Sequence, residues 1–178
     1  MSVELDIKKE LRASMNGILS ARMREAGMPF KLIFGVELPR LQNIAQEFPQ
    51  DTELAQKLWR QNIRETRLLA IMLMPPEDFT TQMAEEWAKT MLTAEEAQIL
   101  AMTLLPKTAV AKEVCMAWIE EEQTLPATSA FLSLRHLIIR GIMLSPEERL
   151  FIEESMKNML PNANLHLRKA IKTLKDVL

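Results

Sequence analysis

The sequence predicts an all-α protein, an α-solenoid in which antiparallel helix pairs stack into a right- or left-handed superhelix. Three observations predict it. The composition is that of helices: 13 Met, no Tyr and only 4 Gly in 178 residues, with Leu, Ala, Glu, Gln and Lys abundant, whereas a sheet protein would draw on Val, Ile, Thr and Tyr. Apolar positions recur with helical period along the chain. One pattern also returns, a bulky residue followed by a break, an Ala and a Leu: Trp59, Ala70 and Leu73; Trp118, Ala130 and Leu134; Met159, Ala170 and Leu174. Such recurrence of a helix–turn–helix unit marks a solenoid.

Taken in order, the elements form one repeat domain over residues 1–178: an N-terminal capping helix within 1–27, a connector over 28–39, and about five stacked helix pairs over 40–178. The capping helix is expected to run unbroken from Val3 to Arg24. In the connector MPFKLIFGVELP, Phe30, Leu32, Ile33 and Phe34 are expected to be buried, while Gly35 and Pro39 interrupt regular structure. Asp51 precedes a helix that holds Trp59. Pro75 and Pro76 stop one helix and open the next, whose stripe is Phe79, Met83, Trp87 and Met91. Thr93 and Glu96 have capping-box spacing, as do Ser145 and Glu148 with Pro146 at the first helical position. Between them lie the stripe of Ala97, Leu100, Ala101 and Leu104 and that of Val110, Val114 and Trp118, then a helix beginning near Pro126 and ended by Gly141. Leu167, Ala170, Leu174 and Leu178 form the last stripe.

Composition excludes several function classes. At 48% hydrophobic and 26% charged the chain is a globular one, long enough to bury roughly 70% of its unfolded surface. The charged start MSVELDIKKELRASMNG lacks the apolar stretch of a signal peptide. The longest apolar run, Leu68 to Met74, falls far short of the roughly 20 residues of a membrane span. With a single cysteine, Cys115, no internal disulfide can form, and a cytoplasmic location is expected. His136 and His166 lie far from each other and from Cys115, which gives no metal-ligand spacing. No glycine-rich phosphate loop occurs, so no metal and no small-molecule cofactor are expected. Cys115 sits between apolar neighbours as an inert thiol, and Trp59, Trp87 and Trp118 read as core. Glu120, Glu121 and Glu122 form a solvated acidic cluster at a helix end. The net charge is −2, yet Arg168, Lys169, Lys172 and Lys175 face only Asp176 in the last segment, a local basic face.

The stretch FGVELPRLQNIAQEF followed by ELAQKLWRQNIRETRLLAIMLM resembles the opening repeats of the DNA alkylation repair enzymes, the AlkD-like HEAT-repeat DNA glycosylases. The residues that carry the likeness are Phe34, Gly35 and Val36, then Leu54, Ala55, Leu58 and Trp59, then Glu65, Arg67, Leu69 and Ala70. AEEWAKTM and AMTLLPKTAVAKEVCMAWIEEEQ resemble the middle repeats, and the likeness spans roughly residues 30 to 140. The resemblance implies a HEAT-like solenoid whose concave face holds duplex DNA and releases N-alkylated purines, with a carboxylate near the sugar and cations on the phosphates.

At the family's functional positions the chain departs from the pattern. Ala94 falls where the family has a Trp, Gln98 where it has the catalytic Asp, and Thr128 where it has a basic residue. The resemblance therefore implies a catalytically degenerate member, a pseudoenzyme that binds DNA or a partner without base excision. Two alternatives stay open: a protein–protein interaction scaffold, and an active alkylpurine glycosylase with a displaced acid, for which Glu95 is the candidate. Glu96 is expected to serve the helix cap instead. Lys107, Lys112, Arg135, Arg168, Lys169 and Lys172 are the candidates for phosphate contacts.

Overall fold

The computed structural model describes residues 3–178. Eleven α-helices occur among them: α1 (Val3–Ala13), α2 (Gly17–Glu25), α3 (Leu38–Gln46), α4 (Thr52–Trp59), α5 (Arg64–Leu73), α6 (Thr81–Thr90), α7 (Ala94–Thr103), α8 (Ala111–Glu120), α9 (Thr124–Ile139), α10 (Pro146–Met159) and α11 (Leu165–Lys175). Single 3-10 turns span Pro76–Asp78, Leu105–Lys107 and Leu160–Asn162. The only extended pairing among the described residues is an isolated bridge between Leu32 and Ile63. The all-helical, HEAT-like fold expected from the sequence is the one observed. None of these helices is long and apolar enough to cross a membrane.

Caps appear at the expected Asp51, Thr93 and Ser145, and also at Thr80 and Asn164. Asp51, Thr80 and Asn164 each accept a backbone N–H of their helix's first turn. Thr93 with Glu96 and Ser145 with Glu148 form complete capping boxes. Each satisfies donors that the helix start leaves orphaned. α5 ends at Leu73 before Pro75, and Gly141, with φ +91°, follows the end of α9.

The chain divides into two compact units, residues 1–78 and 79–178. The first holds α1 to α5, and here two expectations fail. The helix expected from Val3 to Arg24 is broken at Asn16, whose side chain accepts from Leu19 N and caps α2. Its own N–H donates to Phe34 O at 3.1 Å. Residues 1 and 2 of the expected cap lie outside the described residues. Leu32 is 41% exposed rather than buried, because its backbone bonds with Asn62 and Arg64 and alternation turns its side chain away from Ile33.

The rest of this unit is built around Glu65. Fully buried, its carboxylate accepts the backbone N–H of Phe34 at 3.0 Å, Gly35 at 2.9 Å and Val36 at 3.3 Å. Arg64 Nη1 donates to the same carboxylate and to Val36 O, both at 2.9 Å. Gly35 has φ +77°, and a Cβ there would stand 2.3 Å from Asn16 O and 2.6 Å from Ser20 N. Only glycine lets the connector lie backbone to backbone on the start of α2. Arg67 donates to Trp59 O at 2.8 Å with its guanidinium 3.9 Å from the centre of the Trp59 ring, which ties α4 to α5.

The second unit holds α6 to α11. Its centre is α9, which packs against α7, α8 and α11. α8 also touches α6 and α10, so α7, α9 and α11 form one row and α6, α8 and α10 a second. Trp87, Trp118 and Phe131 are among its largest fully or nearly fully buried side chains. Phe79 meets Trp87 edge to face with centroids 5.2 Å apart.

Candidate nucleic-acid interface

The row α7–α9–α11 carries most of the positions singled out from the sequence. α7 begins at the Thr93 capping box, and this decides the role of Glu96: its Oε2 accepts Leu92 N at 2.6 Å and Thr93 N at 2.9 Å, and the residue is fully buried. A carboxylate so engaged is structural. Ala94, Glu95 and Gln98 are half-buried and Met102 exposed, so the i, i+4 pair Ala94 and Gln98 continues to Met102 along one side of α7.

Gln98 does not stand alone. Its amide nitrogen lies 3.2 Å from Nδ1 of His166, in the first turn of α11. With the amide N–H donating, Nδ1 is the acceptor. Two helices that both flank α9 are thus joined by a polar contact at the position where the resemblance puts a catalytic acid. On α9, Thr128 is fully buried and its hydroxyl donates to Thr124 O at 2.6 Å. It can neither carry charge nor reach a phosphate.

The cation candidates fall into two groups. Arg135 is half-buried two turns beyond Thr128, and its Nε is buried without a hydrogen-bond partner. α11 buries Leu167, Ala170, Ile171 and Leu174 and leaves Arg168, Lys169, Lys172 and Lys175 exposed. Arg168 donates through Nε to Ala163 O at 2.8 Å, which fixes its stem. Lys169 and Lys172 make no ion pair among the described residues. The second group sits beside the α9–α10 joint: Lys107 is exposed on a 3-10 turn, and Lys112 is 2.6 Å from Glu148 Oε1. Lys112 is therefore committed to an ion pair, which the linear sequence did not reveal because its partner lies in another helix.

Burial sets the state of two further reactive groups, Cys115 and His136. Cys115 is fully buried, and burial pushes its thiol up, far from the thiolate a nucleophile needs. His136 is held below the usual imidazole value by burial first and by Arg135 and Arg140 second. Among the described residues no group of three His, Cys, Asp or Glu side chains could hold a metal ion. The exposed cations of this arrangement can hold phosphates, and Glu95 is half-buried beside Ala94 at the start of α7.

Sequence reading missed the Gln98–His166 contact and the buried Arg64–Glu65 pair. The first joins residues 68 positions apart, and no spacing rule reaches that far. For the second, the loop amides that Glu65 gathers had no sequence signal beyond the glycine at 35.

No curated protein matches the chain. By structure it is similar to a solved protein presented as "a new family of proteins related to the HEAT-like repeat DNA glycosylases with affinity for branched DNA structures". The two share 17% identity at a TM-score of 0.80, over 96% of this chain and 73% of the other. That likeness shows the fold. The family model described as DNA alkylation repair enzyme matches residues 7–174. The chain therefore belongs to the DNA alkylation repair enzyme family.

Proposed function

We propose that this protein binds DNA on the exposed side of the α7–α9–α11 row and does not excise bases. One observation carries the reading: where the family resemblance places a catalytic acid there is the neutral Gln98, already engaged with His166 at 3.2 Å. Breaking an N-glycosidic bond leaves positive charge on the sugar, and a fixed negative charge lowers that barrier. Loss of one preorganised stabilising group costs about 100-fold or more in rate. An amide offers only a dipole. Ala94 adds no wall for the sugar, and buried Thr128 adds no cation. Lys169, Lys172 and Arg135 remain to meet phosphates. Support also comes from the structural relative, whose own family has affinity for branched DNA.

The test is a DNA-binding titration across a salt series, paired with a base-release assay on alkylated DNA. Binding is expected with Kd of about 1–100 µM at physiological salt, weakening steeply as salt rises. Lys169→Glu with Lys172→Glu should weaken it by about tenfold or more. Release of 3-methyladenine or 7-methylguanine should match a no-protein control. Binding indifferent to salt and to those substitutions would favour a protein-interaction scaffold. Catalysed release that is abolished by Glu95→Gln would establish the displaced-acid enzyme instead.

A further inference from the structure

The α9–α10 joint, residues 140–145, exposes apolar groups that no packing in the fold explains. Met143 is 83% exposed and Ile142 43%, flanked by Ile139 at 57% on the end of α9 and Leu150 at 59% on α10. Cations surround them. Arg140 donates to Pro106 O at 3.3 Å, which brings the exposed Lys107 alongside. Arg149 is exposed one turn into α10, and neither it nor Lys107 has an ion-pair partner among the described residues. The nearby acids are largely occupied. Glu148 is held by Lys112 and the Ser145 N–H, and Glu147 accepts from the Ser145 hydroxyl, while Glu113 on α8 stays exposed. Ile139 lies one turn beyond Arg135 on α9, so the patch continues the proposed DNA-binding side of the row.

We propose that this joint is a second DNA contact, in which Ile142 and Met143 cap an exposed base-pair face at a branch point while Lys107, Arg140 and Arg149 meet the flanking phosphates. The inference rests on the DNA-binding reading and deepens it by assigning branch-point contact to this joint. A continuous duplex stacks every base pair against the next and presents no apolar face between them. A branch point in its open form interrupts the stack and exposes base-pair faces where the arms meet, and apolar wedges of Ile or Met with flanking cations are suited to such a step. A thioether adds favourable contacts to aromatic rings. A tip of this composition therefore gains little from linear duplex and more from a discontinuity.

The experiment compares a four-way junction with a linear duplex of equal length by fluorescence anisotropy in magnesium-free buffer, which keeps the junction open, using the full chain and the variant Ile142→Ser with Met143→Ser. Both positions are exposed, so the variant should fold, which its melting curve checks. Wild type is expected to prefer the junction, and the variant to lose about tenfold in junction affinity with duplex affinity within about twofold, the scale of one lost stacking contact. A 2-aminopurine placed at the branch should change emission with wild type and not with the variant. Met143→Leu should retain the preference. An unchanged preference in the double variant, or duplex binding by wild type without any junction preference, would overturn this inference and leave the DNA-binding reading standing. Binding to neither DNA would overturn both. Association of the wild type with anionic vesicles, lost in the double variant and accompanied by no junction preference, would reassign the patch to a lipid surface.

Discussion

Both the first unit and the α7–α9–α11 row of the second carry family positions, but those positions have fared differently. In the first unit every residue that carries the likeness from Leu54 to Ala70 is buried, and each one packs or bonds to shape the fold. Glu65 gathers three loop amides, Gly35 allows the loop to lie on α2, and Arg67 stacks on Trp59. In the row, the positions that would do chemistry are occupied by Ala94, Gln98 and Thr128. On the proposed reading, what the chain shares with its family is the part that folds, and the part that reacts is what base-release assays must test. Fold and chemistry rest on different residues, so keeping the one does not by itself keep the other.

That contrast can be broken most directly at Glu65. Glu65→Ala removes the carboxylate that faces buried Arg64 and leaves three backbone N–H groups without their acceptor, so a loss of about 3–5 kcal/mol is expected in a denaturant titration. Hydrogen exchange should localise it to the first unit. A loss below about 1 kcal/mol would mean that the buried carboxylate is not what organises the connector.

Gly35→Ala should follow. Its positive φ and the crowding by Asn16 and Ser20 together predict a cost of at least about 2 kcal/mol, read as a lower melting temperature. The second unit holds a counterpart with the opposite outcome. Glu122, after the end of α8, is the one non-glycine residue with positive φ among those described, at 52°. It is exposed, and its charge sits at the negative end of a helix. Glu122→Gly should therefore raise stability by up to about 1 kcal/mol. If both glycine tests gave the same sign, backbone conformation would not be what separates the two sites.

The smallest effect is expected at the site itself. Gln98→Asp alters a half-buried side chain with one long-range polar partner, so stability should change by no more than about 0.5 kcal/mol. Base release should stay at background, because Ala94 and Thr128 are unchanged. A large loss of stability would show that the Gln98–His166 contact holds the row together rather than occupying it.

The sequence by itself determined most of what is governed by a few neighbouring residues. The caps at Asp51, Thr93 and Ser145, the stop at Pro75 and the buried stripes through Trp87, Trp118 and Leu174 follow from groups within one or two turns of each other, whose reach is set by helix geometry. Tertiary structure decided what depends on partners distant along the chain. The Asn16-Gly17 step is compatible with a continued helix or a break, and the bond from Asn16 N to Phe34 O accompanies the break. Lys112 reads as free for phosphate until folding brings Glu148 to 2.6 Å. Gln98 reads as a lost acid, and only the packing of α7 and α11 on α9 gives it His166. Local rules choose where helices start and stop because the backbone groups at stake lie within reach. The choice of side-chain partner belongs to the fold, since it depends on which helices burial brings together.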